Sequence, residues 1–331
     1  MIISAVKPII LGLTLWLGCL SMTIAASSRE TVLHAPGPKG SLEGTYTDAG
    51  KRADMPVILI IPGSGPTDRD GNNPLGVTAA TYRYLAQGLA DAGISSVRID
   101  KRGQFGSRAA IADPNDVTLG EYADDVAAWI ETIKAQTAVD CVWLLGHSEG
   151  ALVALESVAQ SRSSVCGIIL AAASSQPFGD LLRQQLKDNP ANATLIDDAF
   201  AAIDALEAGK RVDVTALHPA LQQLFAPDVQ GFLIDLMGKD PAAMIAAVDL
   251  PVLILQGERD LQVPAADAVA LKAAQPNATL ALLPDTNHVL KTVTGNSPAD
   301  NMATYADPDL PLAPGVVPAI VDFVDDAPPG R

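Results

Sequence analysis

Short strand-like runs, several of them continuously apolar, alternate with helix-forming ones along most of this chain, and that rhythm leaves few folds open. "PVILIIPG" (56–63), "SSVRID" (95–100), "CVWLLG" (141–146), "CGIILAAA" (166–173), "PVLILQGERD" (251–260) and "TLALLPDTNH" (279–288) read as strands. A continuous apolar run bounded by glycine or turn residues marks a strand covered on both faces. Between these runs lie "TYRYLAQGLADAG", a stretch with Leu119, Tyr122, Val126, Ile130 and Ile133 on one helical face, "EGALVALESVAQ" and "AADAVALKAAQ", with a last helix near "PGVVPAIVDFV". Thr118 and Glu121 have capping-box spacing. Alternating β and α predicts an α/β protein with a mostly parallel, doubly wound sheet. Ahead of it, "TVLHAP" and "SLEGTYT" read as a short hairpin around Gly37-Pro38. From 177 to 248 the pattern is helical without a buried strand, so this stretch is expected to be an insertion over one end of the sheet.

In an open parallel sheet, ligands bind beyond the carboxyl ends of the strands. The first run ends in Gly63-Ser64-Gly65-Pro66, the third in Gly146-His147-Ser148-Glu149-Gly150, the fifth at Asp260, and the sixth leads to His288. The pentapeptide 146–150 fits G-x-S-x-G, a serine held on a tight strand-to-helix turn. A glycine-rich turn whose serine merely caps a helix has the same letters. A nucleophilic serine needs a base, and an imidazole base needs a carboxylate to fix its tautomer. Of the four histidines, His34 falls in the hairpin, His218 in the helical insert, and His147 beside the serine, where it reads as packing. His288 is left as the base. Asp260 is the expected carboxylate; Glu258, Asp180 and Asp285 are alternatives whose default role is an exposed salt bridge. The order Ser148, Asp260, His288 is that of one hydrolase architecture. Backbone N–H groups of Ser64 and Glu149 are expected to form an oxyanion hole, the latter at a helix N-terminus. The alternative for "PGSGP" is an ordinary turn.

Net charge is −16, from 22 Lys and Arg against 38 Asp and Glu, with no basic stripe. That argues against nucleic acid, which is held largely through its phosphates, and the acidity fits a monomer. Four scattered histidines without H-E-x-x-H predict no metal, and nothing in the chain predicts a cofactor. At the N-terminus, Lys7 precedes the uncharged run "PIILGLTLWLGCLSMTIAA", which gives way to "SSRE" at small residues. This fits an export signal over residues 1–26, directing the chain to a periplasm or the medium with no stable membrane partner after cleavage. The run is nearly long enough to span a bilayer, so an uncleaved anchor is the competing reading. Residues 30–176 and 249–331 are then the core, and 177–248 the insertion.

Five stretches, "IPGSGPTDRDGNN" (61–73), "RIDKRGQFGS" (98–107), "GHSEG" (146–150), "LQGERDLQVP" (255–264) and "NHVLK" (287–291), carry a family resemblance. Together they resemble secreted esterases of the serine-aminopeptidase-like branch of the α/β-hydrolase superfamily, from about Ser41 to the C-terminus. The resemblance implies an α/β-hydrolase fold with a helical cap. It makes Ser148 the nucleophile, His288 the base, Asp260 the acid, and Ser64 with Glu149 the oxyanion hole. It also implies cleavage of small carboxylic esters with short to medium acyl chains through an acyl-enzyme. A peptidase or thioesterase with the same triad is the nearest alternative, and a non-catalytic binding protein on this scaffold is a more distant one. Leu181, Leu182, Phe200, Leu221, Phe225, Phe232, Leu236 and Met237 of the insert are candidates for pocket or core. No role follows for the polar, proline-rich stretch 292–314, which the bare fold does not require. Cys141 and Cys166 begin strands that are neighbours if the sheet follows the family, which puts them within disulfide reach in an oxidising compartment. Two buried free thiols are the alternative.

Overall fold

The computed structural model describes residues 29–50, 55–113 and 117–327. The export signal expected over 1–26 lies outside the described residues. One sheet is built from β1 (Arg29–Pro36), β2 (Ser41–Asp48), β3 (Val57–Ile61), β4 (Ser95–Ile99), β5 (Val142–His147), β6 (Val165–Ala171), β7 (Val252–Gly257) and β8 (Thr279–Leu283). The strand order is β1-β2-β4-β3-β5-β6-β7-β8. The β1–β2 hairpin joins β4 antiparallel at one edge, and the other pairings are parallel. This is the expected mostly parallel, doubly wound sheet. Ile58 and Ile60 of β3 face a core shared with α1 (Thr81–Ala92) and α11 (Val316–Asp326). Leu59 and Ile61 face the opposite core, shared with α2 (Leu119–Thr137), α3 (Glu149–Gln160) and α9 (Ala265–Ala274). Two apolar layers explain why β3, β5, β6 and β7 are apolar at nearly every position instead of alternating. At the start of α2, Thr118 Oγ1 accepts the Glu121 N–H at 3.1 Å, the forward half of the expected capping box.

Between β6 and β7 come α4 (Phe178–Asp188), α5 (Ile196–Glu207), α6 (Pro219–Leu224), α7 (Gln230–Met237) and α8 (Pro241–Ala246), with no strand. Leu182, Ile203, Leu206, Leu221, Phe225, Leu233 and Met237 pack into an apolar cluster of their own. Leu236 and Ile245 join the core on the α3 side instead, which seats the helices on the body. The lead-in is clamped by the buried Asp267 of α9, whose Oδ1 accepts from Ser175 N (2.7 Å), Ser175 Oγ (2.8 Å) and Ser174 Oγ (3.1 Å).

Cys141 and Cys166 are bridged, with Cα atoms 5.2 Å apart, at the start of β5 and β6 and so at the opposite end from Ser148. A cross-link spanning 25 residues is worth roughly 3 kcal/mol in the chain-entropy treatment. Thiol titration of the denatured, unreduced protein is expected to find neither of these two cysteines free. Reduction should lower the urea-derived unfolding free energy by about that amount, and unchanged stability on complete reduction would contradict it.

Candidate active site

Ser148 leaves β5 with φ 54° and ψ −120°, a region that non-glycine residues enter only when the surroundings enforce it. The flanking glycines are steric necessities. A Cβ on Gly146 would lie 2.2 Å from the Gly150 carbonyl oxygen, and one on Gly150 would lie 2.4 Å from that of Ile61. The Ser148 N–H donates to Ala171 O at 2.8 Å, tying the turn to β6. Glu149 opens α3, where the first backbone N–H groups have no intrahelical acceptor.

The loop after β3 abuts this turn: a Cβ on Gly63 would sit 3.3 Å from that of Ser148. The charged letters of "GSGPTDRDGNN" hold the loop in shape. Asp68 Oδ1 accepts from the N–H groups of Asp70 (2.9 Å) and Asn72 (2.8 Å), and Asp70 pairs with the buried Arg98. The Arg69 N–H donates to Asp100 Oδ1 at 2.8 Å. In the loop after β4, Arg102 grips Asp125 of α2 through Nε and Nη2 at 2.7 and 2.8 Å. Lys101 turns the other way, donating to Gly63 O at 2.8 Å and Glu149 Oε1 at 3.0 Å.

The predicted imidazole–carboxylate pair forms. His288 Nδ1 and Asp260 Oδ2 are 2.7 Å apart, both side chains buried. Burial alone would raise the Asp260 carboxyl, but His288 and the N–H groups of Val263 and Gln262 outweigh it and hold the group below its usual range. Those N–H groups reach Oδ1 at 2.9 and 2.7 Å, and Gln256 Nε2 reaches Oδ2 at 3.1 Å. The alternatives are elsewhere: Glu258 is exposed, Asp180 pairs with Arg183, and Asp285 with Arg259. Among the described histidines, His34 lies in β1 and His218 caps α6.

His147 is more than packing. Its Nε2 lies 2.8 Å from the His288 carbonyl oxygen, which can only accept, so Nε2 carries the hydrogen. Nδ1 is then the acceptor for the Tyr82 hydroxyl at 3.0 Å, and that hydroxyl oxygen accepts the Gly63 N–H at 3.0 Å. One neutral ring thus joins the serine turn, the loop after β3 and the backbone of His288. Burial, with the His288 ring beside it, lowers His147 from 6.5 to about 4. Unfolded, the ring gains a proton below about 6.5, whereas folded it stays neutral until about 4. The stability from this site is therefore complete above the upper value and is lost as pH falls through that window, by about 3 kcal/mol in all. Urea unfolding at several pH values from 7 to 4 should show His147→Asn with a shallower decline than the parent. Parallel declines would place the acid sensitivity elsewhere.

Ser64, Ser148 and Glu149 lie on the wall of a cavity of about 900 Å³ roofed by the inserted helices. Leu181, Leu182, Phe232 and Leu236 line it, whereas Leu221, Phe225 and Met237 belong to the insert's own core and Phe200 packs against that core. The stretch 292–314, which contains α10 (Pro298–Ala303), seats the His288 loop. Asn287 Nδ2 donates to Thr304 Oγ1 (2.6 Å) and Asn301 Oδ1 (3.1 Å), and the Ala313 N–H donates to Leu290 O (2.8 Å). The buried Tyr305 packs with Val289, and its hydroxyl accepts from Gln262 Nε2 at 3.0 Å.

The model of the serine aminopeptidase, S33, family matches residues 75–292, a span that contains Ser148, Asp260 and His288 but not Ser64. The chain belongs to that family. Among curated proteins it is 27% identical over 263 residues to esterase EstD of Thermotoga maritima, covering 77% of this chain and 60% of that protein. It is 33% identical over 163 residues to phospholipase YtpA of Bacillus subtilis, covering 49% of this chain and 54% of that protein. The chain thus spans less than two thirds of the length of either. Among solved structures, the Pyrococcus furiosus esterase Pf2001 superposes with a TM-score of 0.55 at 14% identity, over 91% of this chain and 94% of that one. Est1E from Butyrivibrio proteoclasticus gives 0.55 at 15% identity, over 89% and 99%. These likenesses establish the α/β-hydrolase fold.

Proposed function

We propose that this protein is a serine hydrolase that cleaves carboxylic esters through an acyl-enzyme. The observation that carries the reading is Ser148, strained onto the wall of an apolar cavity, with the His288–Asp260 pair tied to the same turn through His147. In this mechanism the Ser148 hydroxyl attacks the acyl carbonyl carbon as His288 Nε2 takes its proton. Asp260 keeps the hydrogen of His288 on Nδ1 and stabilises the cation that forms. The Ser64 and Glu149 N–H groups receive the oxyanion, and α3 directs its positive end at the same point. Collapse breaks the ester C–O bond, and His288 returns the proton to the departing alcohol. Water then attacks the acyl-serine by the same steps in reverse order, releasing the carboxylic acid.

An ester suits the cavity better than an aminoacyl group. The carboxylates on its wall are Glu149, already neutralised by Lys101, and Asp228 on the exposed rim, so neither offers a buried free charge for a substrate ammonium. The relatives named as an esterase and a phospholipase also favour ester chemistry. The volume lies near the upper end for small-molecule sites, which suits a medium-length acyl chain under the inserted helices. Export to an oxidising compartment is part of the proposal, supported by the Cys141–Cys166 bridge and the apolar, Lys7-led N-terminal sequence. The test is a series of p-nitrophenyl esters from acetate to decanoate beside aminoacyl anilides, with fluorophosphonate labelling. Ester turnover with labelling lost in Ser148→Ala is expected, and anilide turnover exceeding that of every ester would overturn the ester assignment.

A further inference from the structure

We infer that Lys101 is a positioning residue for the oxyanion hole, acting on the peptide between Gly63 and Ser64; this rests on the site reading above. Its ammonium is buried, 5% exposed, and meets two groups that the proposed chemistry depends on. One is Gly63 O at 2.8 Å. That carbonyl and the Ser64 N–H belong to a single planar trans peptide and point in opposite directions. Fixing the oxygen on Lys101 therefore fixes the direction of the Ser64 N–H. A donor at one end of a peptide also polarises it, so the N–H at the other end becomes a stronger donor. The second group is the Glu149 carboxylate at 3.0 Å, on the residue whose own N–H is the other oxyanion donor.

The Tyr82 hydroxyl completes the arrangement. It accepts the Gly63 N–H at 3.0 Å, so Gly63 is held on both its peptide groups. Without these two anchors the loop would be free to turn, because Gly63 has no side chain to resist rotation. Lys101 also stays charged: burial would lower it, but Glu149 and the Tyr122 ring beneath its ammonium keep it raised. A buried ion pair is weak evidence for stability, since apolar replacements often serve as well. Stability thus gives no reason for a Lys–Glu pair at this wall, and the oxyanion geometry gives one.

The test compares Lys101→Met, Glu149→Gln, the double variant Lys101→Met/Glu149→Gln and Lys101→Met/Glu149→Met with the parent on p-nitrophenyl butyrate. Affinity for a trifluoromethyl ketone, which binds as an oxyanion, is measured in parallel. Lys101→Met should lose roughly 10²-fold in kcat, in the range for a lost oxyanion donor. KM should move less than about threefold, and ketone affinity should fall in step with kcat. Glu149→Gln, which keeps an acceptor for Lys101, should lose far less. The double variant with Gln separates positioning from simple neutralisation of Glu149: it should stay as impaired as Lys101→Met, and recovery to parental kcat would overturn the inference. If Lys101→Met does not fold because a bare carboxylate is left buried, the Met/Met variant removes that charge and reports the same loss. A folded Lys101-lacking variant with parental kcat and ketone affinity also overturns the inference. Ser148→Ala run alongside keeps the two claims apart. An active Ser148→Ala would sink the site reading, whereas an inactive one beside a fully active Lys101→Met would sink only the role of Lys101.

Discussion

Ser148→Ala is expected to lower kcat for ester hydrolysis by about 10⁶-fold, the scale of losing a triad nucleophile. The fold should survive, because the side chain is half-buried on the cavity wall and contributes to no core cluster. The turn itself is set by the close approach of Gly146 to Gly150 and of Gly150 to Ile61, neither of which the substitution touches. Turnover of p-nitrophenyl butyrate, with a thermal melt to establish folding, makes the check. A folded Ser148→Ala protein with turnover near that of the parent would overturn the whole assignment.

Asp260→Asn should cost roughly 10⁴-fold in kcat. Oδ2 faces His288 Nδ1 at 2.7 Å, and an amide nitrogen placed there would donate a hydrogen instead of accepting one. His288 would then carry its own hydrogen on Nε2, where it could not take the serine proton. The Oδ1 contacts to the Gln262 and Val263 N–H groups can persist, so the loss should appear in kcat more than in stability. Glu258→Gln is the control. Glu258 is exposed two residues away, and its substitution should leave kcat within about threefold. If it does more harm than Asp260→Asn, the carboxylate has been misassigned.

The residues that sequence exposes best here are those whose neighbours along the chain constrain them. The double-layered core writes apolar runs for β3, β5, β6 and β7, and the clash geometry of the elbow writes glycines on either side of Ser148. Glu258 and Asp260 both follow the end of β7 at Gly257, and it is the family pattern in "LQGERDLQVP" that singles out Asp260, the carboxylate found against His288. Tyr82, Lys101 and the bridging part played by His147 left no such trace. Each acts on a partner far away in sequence: Tyr82 on His147 across 65 positions, Lys101 on Gly63 across 38, His147 on His288 across 141. A lone Tyr or His in an amphipathic run reads as core, and Lys101 beside Arg102 reads as one more surface cation. The inserted helices gave a mixed signal for a related reason. An apolar stripe has the same period whether it faces a cavity, as Phe232 does, or the insert's own core, as Phe225 does. The stretch 292–314 works through Asn, Thr and backbone hydrogen bonds to loops, which have no periodicity to read.

That same stretch sets the order in which the protein can become active as it is synthesised. The serine turn needs only β3, β5 and β6, so it can close once residues up to about 173 have emerged. His288 comes more than a hundred residues later, and its loop is seated by Asn301, Thr304, Tyr305 and Ala313, which follow it. A chain stopped just after Lys291 would contain Ser148, Asp260 and His288 and still lack the residues that seat the His288 loop. The proposed activity would thereby wait until residues 301–313 had been made. For the ester hydrolase proposed above, the turn that holds the serine is thus complete well before the histidine meant to activate it has a fixed place.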